Sequence, residues 1–523
     1  MSSAQKAPVG AIAVALFGAV FSSIFAGAAA QSMAEIGGGL SAAARDASWF
    51  LTLYDLGQVM GLPLVWILGR GLGRGRAMAL AGFGYALTSA GVALAPDLVG
   101  ALPLRVVHGV FGGMLPVFMM LMVMSSLRPG QGQAEGLAAY ALSATVGAGF
   151  SAAVAAGLLE FGGWRALFWV PAAFGFAYAV LASRTLVAEK GQVETLRLAD
   201  WPSYALLTAG LGALVVAFSE GERRFWLETW WITALLLAGA VGLGFAIQSL
   251  RASKSPLIRM SIFLKPTFTW SILVAMMFRG PVLIATWVAP QYLVRTQGYS
   301  IAEIGESQLV IGLATLAAIP AAYGFTRFCD PRWPLSLGLG LSATGAWICT
   351  GLAPDWAADQ LRIVAVLTGV GQALVVTPVL RYAVHGIEAV DGMSCGLLFN
   401  LSRLLGHVLA TAGLAHLIAQ REKLHWERLG EALVLSDPEV GERLTAMVQG
   451  VGHWVADPAA ASGVAVSGLA RQLSVQAHGL ALIDAFRALA GLSLLAIVLT
   501  WALPVLAPTP PGRPSPRMSG KPS

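Results

Sequence analysis

The sequence predicts an all-α membrane protein with fourteen transmembrane helices, and three observations lead to this prediction. Only 11% of the 523 residues are charged, against about 25% in an ordinary soluble chain, and the mean hydropathy is +0.72. Apolar runs of roughly 20 residues, the length that crosses a bilayer, recur along the chain. Basic residues gather in every second loop between these runs.

The first apolar run, 9–30, ends in alanines that resemble a signal-peptide cleavage site. It is longer than the usual apolar core of a signal peptide, and Lys6 is the one basic residue before it. We therefore interpret it as a retained membrane helix. The stretches 202–219 and 304–325 carry the weakest signal, and without both the count would be twelve. The fourteen candidate spans are 9–30, 48–69, 76–95, 101–124, 135–159, 165–186, 202–219, 230–250, 268–290, 304–325, 334–353, 361–383, 394–419 and 484–507.

Loop charge predicts the orientation of the chain, because Lys and Arg are enriched in cytoplasmic loops. One set of short loops holds six arginines: Arg45, Arg165, Arg223, Arg224, Arg295 and Arg362. The other set is more basic, and we place it in the cytoplasm together with both termini. It holds Arg70, Arg74, Arg76, Arg128, Arg184, Lys190, Arg197, Arg251, Lys254, Arg259, Lys265, Arg327, Arg332 and Arg381, with Lys6, Arg513, Arg517 and Lys521 at the termini.

Topology thus accounts for the net charge of +6, which does not indicate a nucleic-acid partner. The three cysteines are scattered over a loop and two apolar spans, so they predict no disulfide framework. Two segments leave the membrane. Residues 420–483 are polar, and we interpret them as an outer capping hairpin or a partner-docking surface. The tail 508–523 is rich in Pro, Ser and Gly and is expected to be disordered.

A short basic turn occurs twice, at 69–76 and at 324–332, each time after the second helix of a six-helix unit. Such recurrence fits two parallel halves related by an axis along the membrane normal. The predicted organisation is an N-terminal half (1–190), an inserted helix pair (191–260) and a C-terminal half (261–507) that contains the polar segment. Short basic turns also follow from loop charge alone, so the repeat is suggestive.

Several short stretches resemble the fourteen-span drug:proton antiporter branch of the major facilitator superfamily, the EmrB/QacA-like branch. The resemblance covers nearly the whole chain and implies the major facilitator fold: two six-helix halves plus two extra helices. The order and spacing of the stretches carry it, since each is loose alone. They are Trp49-Phe-Leu-Thr-Leu-Tyr54, Arg70-Gly-Leu-Gly-Arg-Gly-Arg76, Arg105-Val-Val-His-Gly109 with Gly112 and Gly113, Pro290-Gln-Tyr-Leu-Val-Arg-Thr-Gln-Gly-Tyr299, and Leu398-Phe-Asn-Leu-Ser-Arg403 with Gly406.

The chain departs from the pattern of this family at four places. The acid of the first helix has no counterpart in 21–24, and His108 stands where the family has glutamine. The fifth-helix signature is reduced to Val146-Gly-Ala-Gly149 without its proline, and the loop at 70–76 lacks its acid. These departures put the usual proton route in question but not the fold.

Ionisable residues within the spans are the candidate site residues, because a charge at membrane depth is costly. Asp55, Arg105 and His108 are the candidate proton-coupling group; Arg105 and His108 lie one helical turn apart and share a face. The alternative for Asp55 is a structural partner of Arg105 or a residue of an outer vestibule. For Arg105 it is a structural clamp, and for His108 a neutral core histidine.

Tyr54, Arg279, Asn400, Arg403 and His407 are the candidate substrate-cavity residues. The last three follow each other at three and four residues on one helix face, where Arg403 would favour anionic or zwitterionic substrates. Arg279 stands before Gly280-Pro281, an expected helix break, and would serve a substrate or hold that break. The alternative for the whole group is helix packing by hydrogen bonds.

Arg70, Arg74 and Arg76 are the candidate gating-loop residues. In the resembled family this loop latches the two halves. Without its own acid, such a latch here would need a carboxylate from elsewhere. The alternative is that these arginines set topology alone.

The leading functional hypothesis is an inner-membrane antiporter that exports an amphipathic organic compound against protons by alternating access. An exporter dedicated to one metabolite or siderophore is the alternative within the same class. A transport-inactive scaffold is a further alternative. An intramembrane enzyme is disfavoured because the sequence has no HExxH motif and no metal-ligand spacing of Asp or His. No cofactor or metal is expected. The resemblance allows a periplasmic adaptor and an outer-membrane channel as partners.

Overall fold

The computed structural model describes residues 9–126, 131–185, 191–388, 391–433, 438–455 and 457–506. Within these ranges all regular structure is helical and no strand occurs. The predicted tail 508–523 and the basic residues Lys6, Arg128 and Lys190 lie outside them. The α-helices are α1 (Val9–Gln31), α2 (Met33–Gly39), α3 (Ala44–Ala47), α4 (Trp49–Gly71), α5 (Arg74–Leu94), α6 (Leu98–Ser126), α7 (Gln131–Thr185), α8 (Glu194–Arg197), α9 (Trp201–Gly221), α10 (Trp230–Ala252), α11 (Pro266–Met277), α12 (Arg279–Leu283), α13 (Ala289–Gln297), α14 (Ile301–Phe328), α15 (Arg332–Ile348), α16 (Ala358–Val384), α17 (Gly392–Ala432), α18 (Pro438–Gly452) and α19 (Pro458–Thr500).

Twelve helical stretches in the described ranges are long and apolar enough to cross a membrane. Two expected spans account for the difference from fourteen. The backbone of α7 leaves helical geometry at Gly162 and Gly163, between the expected spans 135–159 and 165–186. The helix α15 corresponds to the expected span 334–353 but has 17 residues. The all-α membrane bundle is therefore as predicted, and the count of fourteen stays a prediction.

Several helices begin at capping residues that the sequence supplies. Asp200 accepts a hydrogen bond from the backbone N–H of Ser203 at the start of α9. Ser300 and Glu303 form a capping box at the start of α14, in which the Glu303 carboxylate accepts from the backbone of Ser300 at 2.7 Å. Such side chains satisfy N–H groups that the first helical turn leaves without partners. They set where these helices enter the bundle.

Glycines bring α4 and α6 into backbone contact. A Cβ atom on Gly57 would lie 2.1 Å from the carbonyl oxygen of Val106, and one on Gly61 would lie 2.0 Å from that of Val110. No larger side chain fits either position without moving a helix. Close approach through small residues is a common way for helices to pack in lipid. This contact holds Tyr54 on α4 against the face of α6 that carries Arg105.

The N-terminal and C-terminal helices meet where α7 packs against α14. A Cβ atom on Gly149 would lie 2.3 Å from the Cα atom of Gly312, and one on Gly305 would lie 3.1 Å from the Cα atom of Ala153. The pair α9–α10 lies outside this contact and packs on α4, since the Tyr204 hydroxyl donates to the carbonyl oxygen of Met60 at 3.0 Å.

A second contact between the two groups of helices closes one end of the bundle. Nη2 of Arg70, in the last turn of α4, lies 2.7 Å from the sulfur of Met393 in the first turn of α17. One turn deeper, the Trp66 ring and the Met120 side chain each come within 3.3 Å of the position that a Cβ atom on Gly396 would take. We call these five residues the seal.

The polar segment 420–483 forms a helical projection. It consists of the last turns of α17, the helix α18 and the first turns of α19. Charged pairs tie its base to the bundle: Glu422 accepts from Arg295 on α13 at 3.2 Å, and His425 lies 2.9 Å from Asp484. Whether this projection caps the bundle or docks a partner stays a prediction.

Candidate functional site

Arg105 lies on α6 inside a cage of three aromatic rings. Its guanidinium carbon is 4.4 Å from the centre of the Phe50 ring, 4.2 Å from that of Tyr54 and 5.5 Å from that of Phe168. Nε donates to the carbonyl oxygen of Phe50 at 3.2 Å. The side chain is 1% exposed, and none of the described residues forms an ion pair with it. Ring faces and a carbonyl group therefore hold this buried cation.

His108 completes the same cluster one turn along α6. Its Nδ1 lies 2.8 Å from Nη1 of Arg105. Because a guanidinium group can only donate, Nδ1 is the acceptor and the imidazole is neutral with its proton on Nε2. That Nε2 is buried and has no hydrogen-bond partner among the described residues. The ring packs 4.3 Å from the centre of the Tyr85 ring. The structure thus brings Arg105 and His108 together, as their spacing predicts.

Asp55 lies on α4 next to the cage but is not bonded to it. Its Oδ1 accepts a hydrogen bond from Nε2 of Gln58 at 3.2 Å, and the side chain is half-buried. It stands within electrostatic range of Arg105, and no hydrogen bond or ion pair links the two. Its neighbour Tyr54 is 5% exposed with its ring on Arg105. The predicted role of Tyr54 as a cavity wall therefore stays a prediction.

Asp55 and His407 stand at equal depth on opposite sides of the interface. Counted from the contact between Arg70 and Met393, Asp55 lies 15 residues along α4 and His407 lies 14 residues along α17. At about 1.5 Å per residue, both are about 21–23 Å from that contact. His407 is exposed and Asp55 half-buried, whereas the seal residues Trp66 and Met120 are buried. Side chains are therefore buried at the seal and partly accessible at the depth of Asp55.

The helix α17 presents the other predicted cavity residues. Asn400 is buried, and its Oδ1 accepts a hydrogen bond from the Tyr140 hydroxyl on α7 at 2.8 Å. Arg403 is half-buried. It lies within electrostatic range of Tyr54, Tyr140 and Arg279. Polar and cationic groups of both halves thus converge on one region.

Arg279 lies at the break between α11 and α12, where the sequence predicts one. A π-helical turn, Ile284–Val288, follows within the same span. The Arg279 side chain packs on α17, with its Cγ atom 3.0 Å from the position that a Cβ atom on Gly406 would take. The break turns this arginine toward the same region as Arg403.

The described contacts of the two basic turns are different. In the first loop Arg70 contacts Met393, and Arg76 is exposed on α5. In the second loop Arg332 pairs with Asp330 at 2.7 Å. Arg74 lies half-buried between Arg70 and Arg76. The structure thus brings one of the three predicted arginines to the seal.

Sequence analysis missed Glu220, which is 0% exposed at the end of α9. Its carboxylate accepts hydrogen bonds from Thr52 at 2.7 Å and from Ser48 at 3.1 Å, both near the start of α4. Arg224 lies 3.7 Å away. The expected span 202–219 stopped one residue short of this acid, and an acid at the edge of an apolar run is ordinarily a solvated one. Only the packing of α9 on α4 reveals it.

One stretch at the start of α17, Gly392–Gly396, matches the GxSxG pattern of serine hydrolases. That pattern needs a strand followed by a sharp turn, and the described residues contain no strand. The Ser394 hydroxyl is buried and accepts a hydrogen bond from the backbone N–H of Arg259 at 2.9 Å. Ser394 is therefore a structural residue that fixes the start of α17.

Comparison with known proteins agrees with this geometry. The profile of the Major Facilitator Superfamily matches residues 11–411. The colistin resistance protein EmrB of Acinetobacter baumannii is 22% identical over 466 residues, which are 88% of this chain and 89% of the relative. The multidrug export protein EmrB of Escherichia coli is 20% identical over 87% of this chain and 90% of its own. The cephamycin export protein CmcT of Amycolatopsis lactamdurans is 27% identical over 63% of this chain and 68% of its own.

Solved structures of the same architecture align along most of the chain. A POT family transporter in complex with 5-aminolevulinic acid has a TM-score of 0.62, at 13% identity over 95% of this chain and 97% of its own. The proton:xylose symporter XylE has a TM-score of 0.58, at 12% identity over 95% and 96% of the two chains. At such identities the likeness concerns the fold.

Proposed function

The chain belongs to the major facilitator superfamily and is a multi-pass membrane transporter rather than an enzyme, and on this premise we propose that it exports amphipathic organic compounds in exchange for protons. The export proteins among its relatives support the direction of transport. We assign the proton-binding role to Asp55 and the coupling role to Arg105. His108 positions Arg105 through the hydrogen bond to its Nη1.

The observation that carries this assignment is the separation of a carboxylate from a nearby buried arginine. Asp55 stands in the electrostatic field of Arg105, yet its one hydrogen bond within the described residues is to Gln58. A nearby cation favours the ionised carboxylate, and its withdrawal favours the protonated acid. A movement of the C-terminal half against α4 that changes the access of water to Asp55, and with it the strength of the Arg105 field, would therefore load or release a proton at Asp55.

Alternating access supplies such a movement. The seal closes the interface at one end, whereas Asp55 is half-buried and His407 is exposed 15 and 14 residues farther along their helices. Loop charge supports placing the seal on the cytoplasmic side, with both termini inside and the protein in the inner membrane. In that orientation Asp55 faces the outside in this structure, where it would take up a proton before the halves rock.

A dedicated exporter of one compound is the second candidate. Two of the relatives are named for single products, cephamycin and tetracenomycin C. The aromatic cage around Arg105 would belong to the coupling group in a multidrug exporter and in a dedicated exporter alike. The cage therefore does not distinguish the two functions. The helical projection at 420–483 is a candidate contact for a periplasmic adaptor, which in turn would lead to an outer-membrane channel.

Everted membrane vesicles test the coupling. With an acid interior, uptake of an exported compound should release protons and raise the internal pH, reported by a pH-sensitive dye. Colistin, a cephamycin and decanoate form the first panel, because named relatives and cavity charge suggest them. Asp55→Asn should abolish every signal that the native chain gives. Asp97→Asn is the matched control, because Asp97 is an exposed acid that accepts from the backbone of Gly100.

The proposed coupling is wrong if a compound gives the same dye response with Asp55→Asn as with the native chain. The dedicated exporter is favoured if one compound alone produces a response. Detergent-solubilised protein that converts any of these compounds without a gradient would instead indicate an enzyme.

A further inference from the structure

Three basic side chains lie at the interface of the two halves: Arg279, Arg403 and His407. We call this group the cationic cluster. Arg279 reaches it from the break between α11 and α12, and its stem packs on Gly406. Arg403 precedes Gly406 by three residues and His407 follows it directly. One turn of α17 therefore carries Arg403 and His407 next to the position on which the Arg279 side chain packs.

No carboxylate among the described residues neutralises this cluster. Arg403 lies within electrostatic range of Arg279, and both arginines lie within electrostatic range of His407. Neither arginine forms an ion pair within the described part of the chain, and Nε of Arg279 is buried without a hydrogen-bond partner. Two guanidinium groups that lie close together away from bulk water repel each other. Among the described residues, no negative charge offsets this repulsion.

The cluster is accessible to a solute and has buried aromatic rings behind it. Arg279 and Arg403 are half-buried and His407 is exposed, so their donors can reach a solute. The Tyr140 ring, which packs 6.1 Å from the Phe399 ring, stands within range of both arginines. Arg403 also acts on Tyr54 of the other half. A solute between these groups would touch both halves.

We propose that the cationic cluster binds the acidic group of an organic anion, a carboxylate or sulfonate attached to an aromatic or otherwise apolar body. This proposal rests on the export function proposed above and names its substrate class. The planar fork of an arginine matches the two oxygens of such a group, and the bound anion supplies a negative charge that the two guanidinium groups lack. An organic cation would meet two guanidinium groups of its own charge.

Binding of two fluorescent probes of opposite permanent charge tests the proposal. Naphthalene-2-sulfonate and a naphthylmethyl-trimethylammonium salt share their aromatic body and differ in charge. The full chain in lipid nanodiscs is titrated with each probe, and probe anisotropy is followed, with empty nanodiscs as the blank. The sulfonate should bind in a saturable manner and the ammonium compound should not.

Single substitutions locate the site. Arg279→Gln and Arg403→Gln should each weaken sulfonate binding by about tenfold or more, as expected for loss of charged hydrogen bonds. Arg403→Lys should retain part of the affinity, because it keeps the charge and loses the fork. Arg165→Gln is the matched control, since Arg165 is exposed and lies over the Trp164 ring away from the cluster. Monodisperse elution and an unchanged melting temperature establish that each variant is folded.

Three results would overturn the proposal: equal or tighter binding of the ammonium probe, full sulfonate affinity in both Gln variants, or no saturable sulfonate binding at millimolar concentration. Asp55→Asn separates this proposal from the proposed function. If sulfonate binding depends on both arginines while no variant or native chain moves protons, the coupling fails and the anion site stands. If Asp55-dependent transport persists while the arginines do not affect the sulfonate, the anion site fails alone.

Discussion

The guanidinium group of Arg105 lies 4.2 Å from the centre of the Tyr54 ring, so a buried cation of α6 rests on an aromatic face of α4. This contact makes the position of Arg105 depend on the packing of the two helices. Asp55 follows Tyr54 directly in the chain. Any shift of α4 along α6 therefore moves the stacked ring and the neighbouring carboxylate together relative to the arginine.

The Tyr54 ring, rather than its hydroxyl group, should be what Arg105 requires. Tyr54→Phe keeps the aromatic face and should leave transport and melting temperature nearly unchanged. Tyr54→Leu removes it and should lower the free energy of unfolding by about 0.5–2 kcal/mol, the range of a cation–π contact, with a larger loss of transport. Thermal unfolding and the vesicle assay measure the two effects. Equal losses in both variants would assign the role to the hydroxyl instead.

Glu220 should fasten the helix pair α9–α10 to α4. Glu220→Ala removes the charged acceptor to which the hydroxyl groups of Ser48 and Thr52 donate between the two helices, which should cost about 1–3 kcal/mol of stability. Combining it with Thr52→Val should cost less than the sum of the single changes, because the two residues share one hydrogen bond. Glu228→Ala, at an exposed glutamate of the following loop, should have no effect. Additive losses of the free energy of unfolding in the double variant would contradict the hydrogen bond between Thr52 and Glu220.

Gly57 should tolerate no side chain, because its Cβ atom would overlap the carbonyl oxygen of Val106. Gly57→Ala should destabilise the protein by about 1–3 kcal/mol or prevent its folding, through forced separation of α4 and α6. Gly69→Ala is the matched control on the same helix, since the nearest atom to its Cβ position is 3.7 Å away. Melting temperature and yield of monodisperse protein measure both. A native melting temperature for Gly57→Ala would contradict the close packing.

We expect the seal to open during each transport cycle. In a background with Cys329, Cys349 and Cys395 replaced by serine, Arg70→Cys with Met393→Cys places two thiols across the contact between α4 and α17. A bifunctional methanethiosulfonate, whose spacer covers the length of the two side chains that meet here, should bridge the thiols by a disulfide at each end and stop transport, and a reducing agent should restore it. The pair Arg76→Cys with Met393→Cys should not cross-link, because Arg76 is exposed on α5. Undiminished transport with the cross-link complete would show that this contact is static.

Much of the architecture was accessible from the sequence. Long apolar runs exclude a soluble fold because their surface has too little charge, and the motifs around Arg105 and Arg70 identified the family correctly. The break before Gly280-Pro281 was also predicted, since proline removes a backbone donor and disturbs the preceding turn. These features are local, so hydropathy and backbone chemistry are sufficient to reveal them.

The relationships among distant residues were decided by tertiary structure alone. The sequence placed Arg105 and His108 on one face but could not supply Phe50 and Phe168 as the other walls of the cage. It placed Arg279 and Arg403 on different helices without revealing that Arg279 packs on Gly406, three residues from Arg403, and it gave no sign of Glu220. In a chain whose spans are apolar on every side, helical periodicity does not distinguish lipid-facing from interior positions. Which charges meet, and which lack a partner, depends on helix packing that small residues such as Gly57 and Gly406 permit.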